Sequence, residues 1–374
     1  MKGGRVLVRA SLLLPVFTVI ACASDRERED PSTTVSVTLT LGSGTEVGES
    51  AVDESIGETA SFDIGSALDF PGGGPAKCTD TSAQALTSFV PCALPIALVA
   101  PYDDDYECWQ YVDVPGIPPE YGGMLFALDD PDLLLIGGAA NVEAGQLFAI
   151  RVTRDQYCNV TGFSDPTAVL FSAAEYNDGG IAYAGDGVMF LARWPVNELG
   201  QLVRGAMATS KVIDMTAAGV ASPDQGTAAL AFVPGGFPGE GLFKLVTWSG
   251  GYWYTVALAS DGAGTYDVSS VTQEVILPGG PEGFVYVGND SPEVDAPSLL
   301  VADWSENTIS IYEVDGEGDP VLDTRTLFVT GLQGPEGAHI DPQSGNFLFS
   351  TFGGGNVLIA IRGFAPNMPP PPPG

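Results

Sequence analysis

An internal repeat of about fifty residues constrains the fold of this chain more than any other feature. Turns that combine an acidic residue with glycine open five repeats, at residues 119–122, 177–180, 223–226, 281–283 and 335–337. Short apolar segments follow each turn, and in the fourth unit they cover residues 284–287, 299–302, 308–314 and 324–329. Four predicted strands per unit at this period are typical of the blades of a β-propeller.

The last unit has room for only three predicted strands before the proline-rich tail. Residues 109–114, on the N-terminal side of the first turn, are predicted to supply the missing strand. Such a closing strand completes the ring and removes exposed sheet edges. The sequence therefore predicts an all-β propeller of four-stranded blades over residues 108–364. Five blades are counted, and a sixth, degenerate blade built from residues 76–101 is the alternative.

The N-terminal segment predicts export. Lys2, Arg5 and Arg9 precede an apolar run, residues 10–21, which is shorter than the ~20 residues that a membrane-spanning helix needs. Residues 19–22, Val-Ile-Ala-Cys, resemble the lipobox of bacterial lipoproteins. The resemblance implies that Cys22 is lipidated and anchors the chain at the cell envelope or cell surface, with the outer membrane as the expected location. An ordinary secretory signal with a chance cysteine is the alternative, and both place the mature chain outside the cytoplasm.

Composition divides the rest of the chain. After the signal peptide and lipobox of residues 1–22, residues 23–75 are rich in Ser, Thr, Gly and acidic side chains and predict a disordered tether. Residues 76–107 form a cysteine-containing lead-in to the propeller. Residues 365–374 form a proline-rich tail that is expected to be extended and unpacked.

Four cysteines follow Cys22, and an even number in an exported chain favours disulfides. Four cysteines allow three pairings. Proximity in the sequence favours Cys78 with Cys92 and leaves Cys108 with Cys158, a bond that would tie the closing strand to the first blade.

Charge and motifs exclude several functions. With 47 acidic and 14 basic residues the net charge is −33, so the phosphates of a nucleic acid would be repelled. No phosphate-binding glycine loop occurs, which argues against a nucleotide cofactor. His339 is the only histidine, so zinc motifs with two histidines are excluded. This histidine is expected to line the channel or, alternatively, to be hydrogen bonded within its strand. Asp315, Glu317 and Asp319 alternate with glycine and predict a hairpin turn rather than a calcium loop.

Two stretches resemble a known superfamily. Residues 281–309 and 335–357, with Pro-Glu-Gly turns and the phrase Val-Ala-Asp-Trp-Ser-Glu-Asn, resemble NHL repeats and the blades of the SMP-30/gluconolactonase family over about 80 residues. The blade order also looks like that of uncharacterised exported bacterial propellers. Propellers of this superfamily usually have six blades, so a count of five departs from the pattern.

The resemblance implies that the acidic residues of the five turns surround the mouth of the central channel. These residues are Glu120, Asp178, Asp224, Glu282 and Glu336. Like charges so close raise one another's pKa unless a cation intervenes, and hard oxygen ligands suit Ca²⁺. SMP-30-like enzymes hold a divalent metal at this turn, and the matching residues are Asp224, Glu282 and Glu336. The alternative is that each carboxylate caps its own turn.

The loops between second and third strands are expected on the same face of the propeller. They carry aromatic and amide side chains at Asn141, Trp194, Asn197, Trp248, Trp253, Trp304, Asn307 and Asn356. Aromatic planes beside amides are suited to a glycan or another small polar ligand. The alternative is that these residues pack between neighbouring blades.

Two function classes follow. The first is a lipid-anchored binding module for a small polar ligand, a glycan or a surface protein, with Ca²⁺ or another divalent metal at the channel mouth. The second is an SMP-30-like metal-dependent lactonase or esterase, in which Asp224 or Glu336 accepts the proton of a metal-bound water. We favour binding, because no second catalytic group is visible and a propeller fold does not imply activity.

Overall fold

A computed structural model describes residues 78–221, 226–353 and 355–365 of the chain. These residues all belong to one compact unit and form five antiparallel sheets arranged as the blades of a β-propeller. The predicted all-β fold and the count of five blades are confirmed. None of the helices in the described residues has the length and apolar character needed to cross a membrane.

The strands of the described residues are β1 (Thr87–Ser88), β2 (Val90–Pro91), β3 (Ala97–Leu98), β4 (Glu107–Val112), β5 (Met124–Ala127), β6 (Asp130–Gly138), β7 (Gln146–Arg154), β8 (Val160–Phe163), β9 (Val169–Ala173), β10 (Asn177–Tyr183), β11 (Met189–Arg193), β12 (Glu198–Leu202), β13 (Lys211–Asp214), β14 (Thr227–Phe232), β15 (Phe243–Thr247), β16 (Tyr252–Ser260), β17 (Tyr266–Ile276), β18 (Pro281–Val287), β19 (Ser298–Asp303), β20 (Thr308–Glu313), β21 (Thr326–Thr330), β22 (Pro335–Ile340), β23 (Phe347–Thr351) and β24 (Val357–Arg362). One short helix, α1 (Met215–Ala218), follows β13, and single 3₁₀ turns occur at Ser82–Gln84, Tyr102–Asp104 and Leu322–Thr324.

Each blade runs from an innermost strand near the propeller axis to an outer strand. Blade 1 consists of β5, β6, β7 and β9, with β8 on the far half of β7; blade 2 is β10–β13; blade 3 is β14–β17; blade 4 is β18–β21; and blade 5 is β22, β23, β24 and β4. The four strands predicted in the fourth unit agree with β18–β21 to within a few residues, because their short apolar runs are buried in the blade.

The closing strand is confirmed. Strand β4 pairs with β24 in antiparallel register from Val357 opposite Val112 to Arg362 opposite Glu107. The chain segment that precedes blade 1 therefore completes blade 5 and closes the ring, as the three-strand last unit predicts. This closure leaves β24 without a free edge.

Residues 87–98 do not form a sixth blade. Strand β1 pairs with β8 of blade 1, β2 pairs with β4 of blade 5, and β3 pairs with β21 of blade 4. The lead-in therefore adds short edge strands to three neighbouring blades. Within the described residues this arrangement replaces the sixth-blade alternative.

The predicted disulfide pairing is wrong. The bonds join Cys78 to Cys158 and Cys92 to Cys108. Strand β2 lies antiparallel to β4, and the Cys92 N–H donates to the Cys108 carbonyl at 2.9 Å, which brings these two side chains together. Earlier in the lead-in, next to Cys78, the chain lies along the end of β7. There the Thr81 N–H donates to the Arg154 carbonyl at 2.8 Å. Proximity in the sequence could not anticipate that the lead-in crosses from blade 1 to blade 5.

Candidate functional site

All five innermost strands begin with the same backbone geometry. A residue with positive φ stands directly before the innermost strand in blades 2–5 and four positions before it in blade 1: Glu120 (68°), Tyr176 (59°), Gly226 (116°), Gly280 (67°) and Gly334 (56°). The carbonyl of each accepts a hydrogen bond from a backbone N–H just beyond the second strand of the same blade, namely that of Ala140, Trp194, Trp248, Trp304 and Phe352, at 2.7–3.4 Å. These five entry residues are therefore structurally equivalent and define matching positions in the five blades.

The equivalent register decides which acidic residues meet at the axis. Two positions after the entry residue stand Gly122, Asp178, Ala228, Glu282 and Glu336. Blades 2, 4 and 5 therefore carry a carboxylate here, whereas blades 1 and 3 carry Gly and Ala. Glu120 is itself an entry residue and is exposed. Asp224 lies outside the described residues.

Glycine follows each of the three carboxylates because the innermost strands touch at the axis. A Cβ atom on Gly179 would lie 1.8 Å from the Glu282 carbonyl oxygen, and one on Gly283 would lie 2.1 Å from that of Glu336. The ladders of β10, β18 and β22 also shift register at this point, as in a β-bulge. Such bulges re-aim a side chain. The acidic residues therefore lie next to the point where the backbones of neighbouring innermost strands are in contact at the propeller axis.

We call Asp178, Glu282 and Glu336 the axial carboxylate cluster. The three residues are 1%, 5% and 1% exposed, and each offers one oxygen such that all three oxygens lie within 4.8 Å of one another. Asp178 Oδ2, Glu282 Oε2 and Glu336 Oε1 are buried without a hydrogen-bond partner. Burial raises the pKa of Asp178 to about 7. Burial, reinforced by repulsion within the cluster, raises the pKa values of Glu282 and Glu336 well above their ordinary range.

No basic side chain of the described residues compensates this cluster. The ion pairs are Arg151 with Asp130, Arg154 with Asp132 and Asp341, Arg193 with Glu198, Arg204 with Asp129, Lys211 with Asp261 and Asp267, Lys244 with Asp319, and Arg325 with Asp303 and Glu306. Arg362 instead lies over the ring of Trp109. Buried carboxylates without a cation must bind protons or an external cation.

The Asn141 side chain completes the surroundings of the cluster from blade 1. One terminal atom of its amide lies 2.9 Å from Asp178 Oδ1 and 3.2 Å from the Asn177 carbonyl oxygen. With nitrogen at this position, the amide donates to both oxygens. With oxygen there, the amide adds a fourth oxygen-bearing group beside the three carboxylates. The sequence placed Asn141 among ligand-binding residues, and its contact with Asp178 was not anticipated.

Three tryptophans follow the second strands of their blades, and their backbone N–H groups bond the entry residues at the start of the innermost strands. Trp194, Trp248 and Trp304 occupy equivalent positions after the second strands of blades 2, 3 and 4, and their rings stack edge to face at centroid distances of 5.9 and 5.5 Å. Trp194 Nε1 and Trp248 Nε1 are buried without an acceptor. The structure therefore brings these three predicted residues together, in a packed series that bridges neighbouring blades.

The other predicted ligand-binding residues are dispersed. Trp253 is 0% exposed and donates from Nε1 to Asp319 Oδ1 at 2.7 Å, away from the axis. Asn197, Asn307 and Asn356 adopt positive φ in turns between second and third strands. Asn307 Oδ1 accepts from the Gly334 N–H at 2.9 Å, and Asn356 Oδ1 accepts from the Glu120 N–H at 3.0 Å. These two amides thus hold the entry residue of the next blade.

His339 lies in β22, where its ring is 5.9 Å from that of Phe126 between centroids. Burial lowers its pKa to about 4, so the imidazole is neutral at neutral pH.

Comparisons with known proteins extend the description of the fold. No protein-family model matches the sequence, and no curated protein matches it. Among solved structures, the chain is similar to an auxiliary nutrient binding protein from Bacteroides ovatus (11% identity, 68% of this chain and 76% of that one, TM-score 0.38). It is also similar to a glucose dehydrogenase (12%, 71% and 94%, TM-score 0.36) and to the calcium structure of a Trichoderma reesei carbohydrate-active enzyme of family AA12 (10%, 76% and 100%, TM-score 0.36). Similarity at this level assigns no function to the chain.

Proposed function

We propose that this protein is a lipid-anchored extracytoplasmic propeller that binds a small polar ligand, a glycan or a surface protein, and that the axial carboxylate cluster holds a Ca²⁺ ion. The observation that carries the proposal is the cluster itself. Three fully buried carboxylates with unpartnered oxygens meet where no described basic side chain reaches them. A calcium ion bound there would neutralise the cluster and link three blades across the axis.

The donors fit a calcium ion. Ca²⁺ binds about six to eight oxygens at roughly 2.3–2.6 Å, so ligands on opposite sides of the ion are roughly 5 Å apart. The cluster oxygens lie within 4.8 Å of one another. Three carboxylates supply hard oxygen ligands from blades 2, 4 and 5, and rotation of the Asn141 amide would bring a fourth oxygen from blade 1. Asp224 and Glu120, also predicted as ligands, are not needed for this set.

Metal analysis and thermal unfolding of the purified protein test the calcium proposal. We expect bound calcium after purification, and a melting temperature that rises by about 5 °C or more at a calcium concentration of about 100 times Kd. Glu282→Gln and Glu336→Gln should each abolish most of the rise. Glu274→Gln is the matched control, because Glu274 belongs to an acidic group in which Asp319 is already paired with Lys244. This variant should leave the calcium-dependent rise unchanged. A melting temperature indifferent to calcium and to chelator would exclude the site.

The lipid anchor has a separate test. The basic N-terminal segment, the apolar run and Cys22 support it, and they lie outside the described residues. We expect an expressing bacterium to incorporate a labelled fatty acid into the chain and to retain the protein in the membrane fraction. Cys22→Ser should abolish labelling. Unlabelled wild-type protein released into the medium would contradict the anchor and favour a secretory signal.

The second candidate function, an SMP-30-like lactonase or esterase, is favoured by one observation. The pKa of Asp178, raised to about 7 by burial, lies near the range in which a general base works at neutral pH. The carboxylates predicted to accept a proton, Asp224 and Glu336, are respectively outside the described residues and 1% exposed. A panel of lactones and esters tests this candidate on the calcium-loaded protein. Turnover by the calcium-loaded wild type that chelator abolishes would favour the enzyme over the binding module.

A further inference from the structure

An uncharged cleft lies between blades 4 and 5 on the face that carries the tryptophans. It is an open cleft of about 330 Å³, lined by Trp304, Asn307, Gln333, Gly334, Phe352 and Gly353. No charged side chain lines this cleft, although the chain has a net charge of −33. The lining therefore suits a neutral ligand that presents apolar surface to the rings of Trp304 and Phe352.

The side-chain groups of the cleft offer more donors than acceptors, since Gln333 brings one of each and the other two polar side chains offer donors. Asn307 Oδ1 already accepts from the Gly334 N–H at 2.9 Å, which leaves the Asn307 Nδ2 donor free. Trp304 Nε1 has no acceptor among the described residues, and its ring is held so close to Gly334 that a Cβ atom on Gly334 would lie 2.7 Å from Nε1. A matching ligand therefore needs acceptors beside apolar surface more than it needs donors.

A proline-rich segment has this chemistry. Proline lacks the backbone N–H, so a run of prolines offers carbonyl acceptors and no donors, and its rings pack against aromatic side chains. The polyproline II helix that such a run favours rises about 3.1 Å per residue, so five residues extend about 15 Å. Each saccharide hydroxyl also brings a donor, and with Asn307 Oδ1 occupied, Gln333 Oε1 is the one side-chain acceptor that the lining residues have left for it.

We propose that this cleft binds an uncharged proline-rich segment, and that the occupant is the run of residues 369–373 of a second copy of the chain. The sequence supplies five consecutive prolines there, and residues 363–374 contain no charged side chain. An uncharged segment is the part of this acidic chain that a second copy can approach with least repulsion. The inference rests on the proposed binding role of this face, and it is independent of the calcium ion.

Titration calorimetry with a synthetic peptide tests the proposal. The protein is the full chain with residues 369–373 changed to serine, so that its own prolines do not compete, and the probe is the N-acetylated peptide of residues 366–374. We expect saturable binding with one peptide per chain, and no binding of the same peptide with serine in place of the five prolines. Trp304→Ala should weaken binding at least about tenfold, as for an aromatic hot spot.

Asn307→Asp provides a variant that keeps the fold. It retains the acceptor for the Gly334 N–H and replaces the Nδ2 donor with a charged carboxylate oxygen, so we expect an affinity about three- to tenfold lower. Asn356→Asp is the matched control, because Asn356 makes the equivalent bond to the Glu120 N–H outside the cleft. Equal affinity for both variants, or peptide binding unaffected by Trp304→Ala, would overturn the proposed cleft.

Two further outcomes decide the occupant. If glucose or cellobiose binds with dependence on Trp304 and the peptide does not, the ligand is a saccharide and the proposal fails. If the wild-type chain sediments as a monomer at concentrations above the peptide Kd, the second copy is excluded as the occupant; we expect self-association that the serine variant lacks. Loss of the calcium-dependent melting shift would refute the calcium site and leave the peptide results unaffected, so the two failures are distinguishable.

Discussion

Two buried acidic groups in this propeller differ in how their charge is compensated. The axial carboxylate cluster has three carboxylates and no basic partner among the described residues. Between blades 3 and 4, Asp319 is also buried, but Lys244 Nζ lies 2.5 Å from its Oδ1 and Trp253 Nε1 lies 2.7 Å from the same atom. Lys244 is 0% exposed, so this carboxylate has a cation supplied by the chain.

This difference in charge compensation indicates which buried acidic groups need an external cation. Asp319 lies within ligand distance of Glu274 and Glu317, much as the axial residues lie near one another. The preceding loop is nevertheless a hairpin turn, as predicted, because Asp315 Oδ1 accepts from the Glu317 and Asp319 N–H groups at 2.9 and 3.0 Å. Proximity of carboxylates is therefore not enough to indicate a metal. The axial cluster differs from the group around Asp319 because its carboxylates are fully buried, have unpartnered oxygens and have no internal cation.

Removing the internal cation should have the largest effect. Lys244→Met leaves Asp319 buried and without its positive partner, so we expect the free energy of unfolding to fall by about 3–5 kcal/mol. Urea denaturation measures the loss. The calcium-dependent rise in melting temperature should persist in this variant, because the axial cluster is unchanged. A loss below about 1 kcal/mol would mean that Asp319 is compensated in another way, and the contrast between the two groups would disappear.

Acidity should stabilise the calcium-free protein through the axial cluster. Its folded pKa values lie above the ordinary values of about 3.9 for Asp and 4.3 for Glu, so the folded state holds more protons at intermediate pH. The Asp178 contribution is complete below about pH 4 and is lost as pH rises through about 7, a change on the order of 4 kcal/mol, and the Glu282 and Glu336 contributions have the same sign. Urea unfolding in chelator between pH 4 and 8 measures it. Saturating calcium should remove this component, whereas an identical profile with calcium would contradict the assignment.

The effect of Asp178→Asn on the free energy of unfolding should change sign when calcium is added. Without the ion, the substitution removes a carboxylate whose ionisation is opposed by burial, so we expect a gain on the order of 2 kcal/mol at pH 8. With calcium, the variant lacks one ligand and should be less stable than the wild type. Asp261→Asn is the contrasting control, because Lys211 pairs with that carboxylate and holds its pKa below the ordinary value. A loss of stability in both conditions would show that Asp178 is compensated without calcium.

The sequence predicts most of the propeller because its signals are local. The strands β18–β21 coincide with short apolar segments, and the closing strand follows from a blade that lacks one strand. The disulfide pairing was mispredicted because it depends on the path of the lead-in across blades 1, 5 and 4, which no local pattern encodes. Strands of two residues, such as β1 and β2, are too short to show a periodic pattern in the sequence, so their long-range pairing could not be predicted.

The candidate site was predicted in part for a related reason. Acidic turns identified Asp178, Glu282 and Glu336, but aligning turns by residue type placed Glu120 in the same set. The register is set instead by the left-handed entry residue and its hydrogen bond, and the entry residues are as different as Glu120, Tyr176 and Gly334. In blade 3 the position equivalent to Glu282 is Ala228. A backbone conformation shared by unlike residues is invisible in a single sequence.

Asn141 offers the finest test of the axial cluster, with the smallest expected effect. Asn141→Leu removes an amide that lies 2.9 Å from Asp178 Oδ1, so calcium affinity should fall about fivefold, or roughly 1 kcal/mol. Asn141→Asp should do the opposite with calcium and destabilise the calcium-free protein, because it adds a fourth carboxylate. Asn356→Leu controls for backbone strain, since φ is 67° at Asn141 and 52° at Asn356. Equal calcium affinity for Asn141→Leu and Asn356→Leu would confine the cation to the three carboxylates. Opposite shifts for the Leu and Asp variants would identify Asn141 as a ligand that rotates its amide oxygen toward the ion.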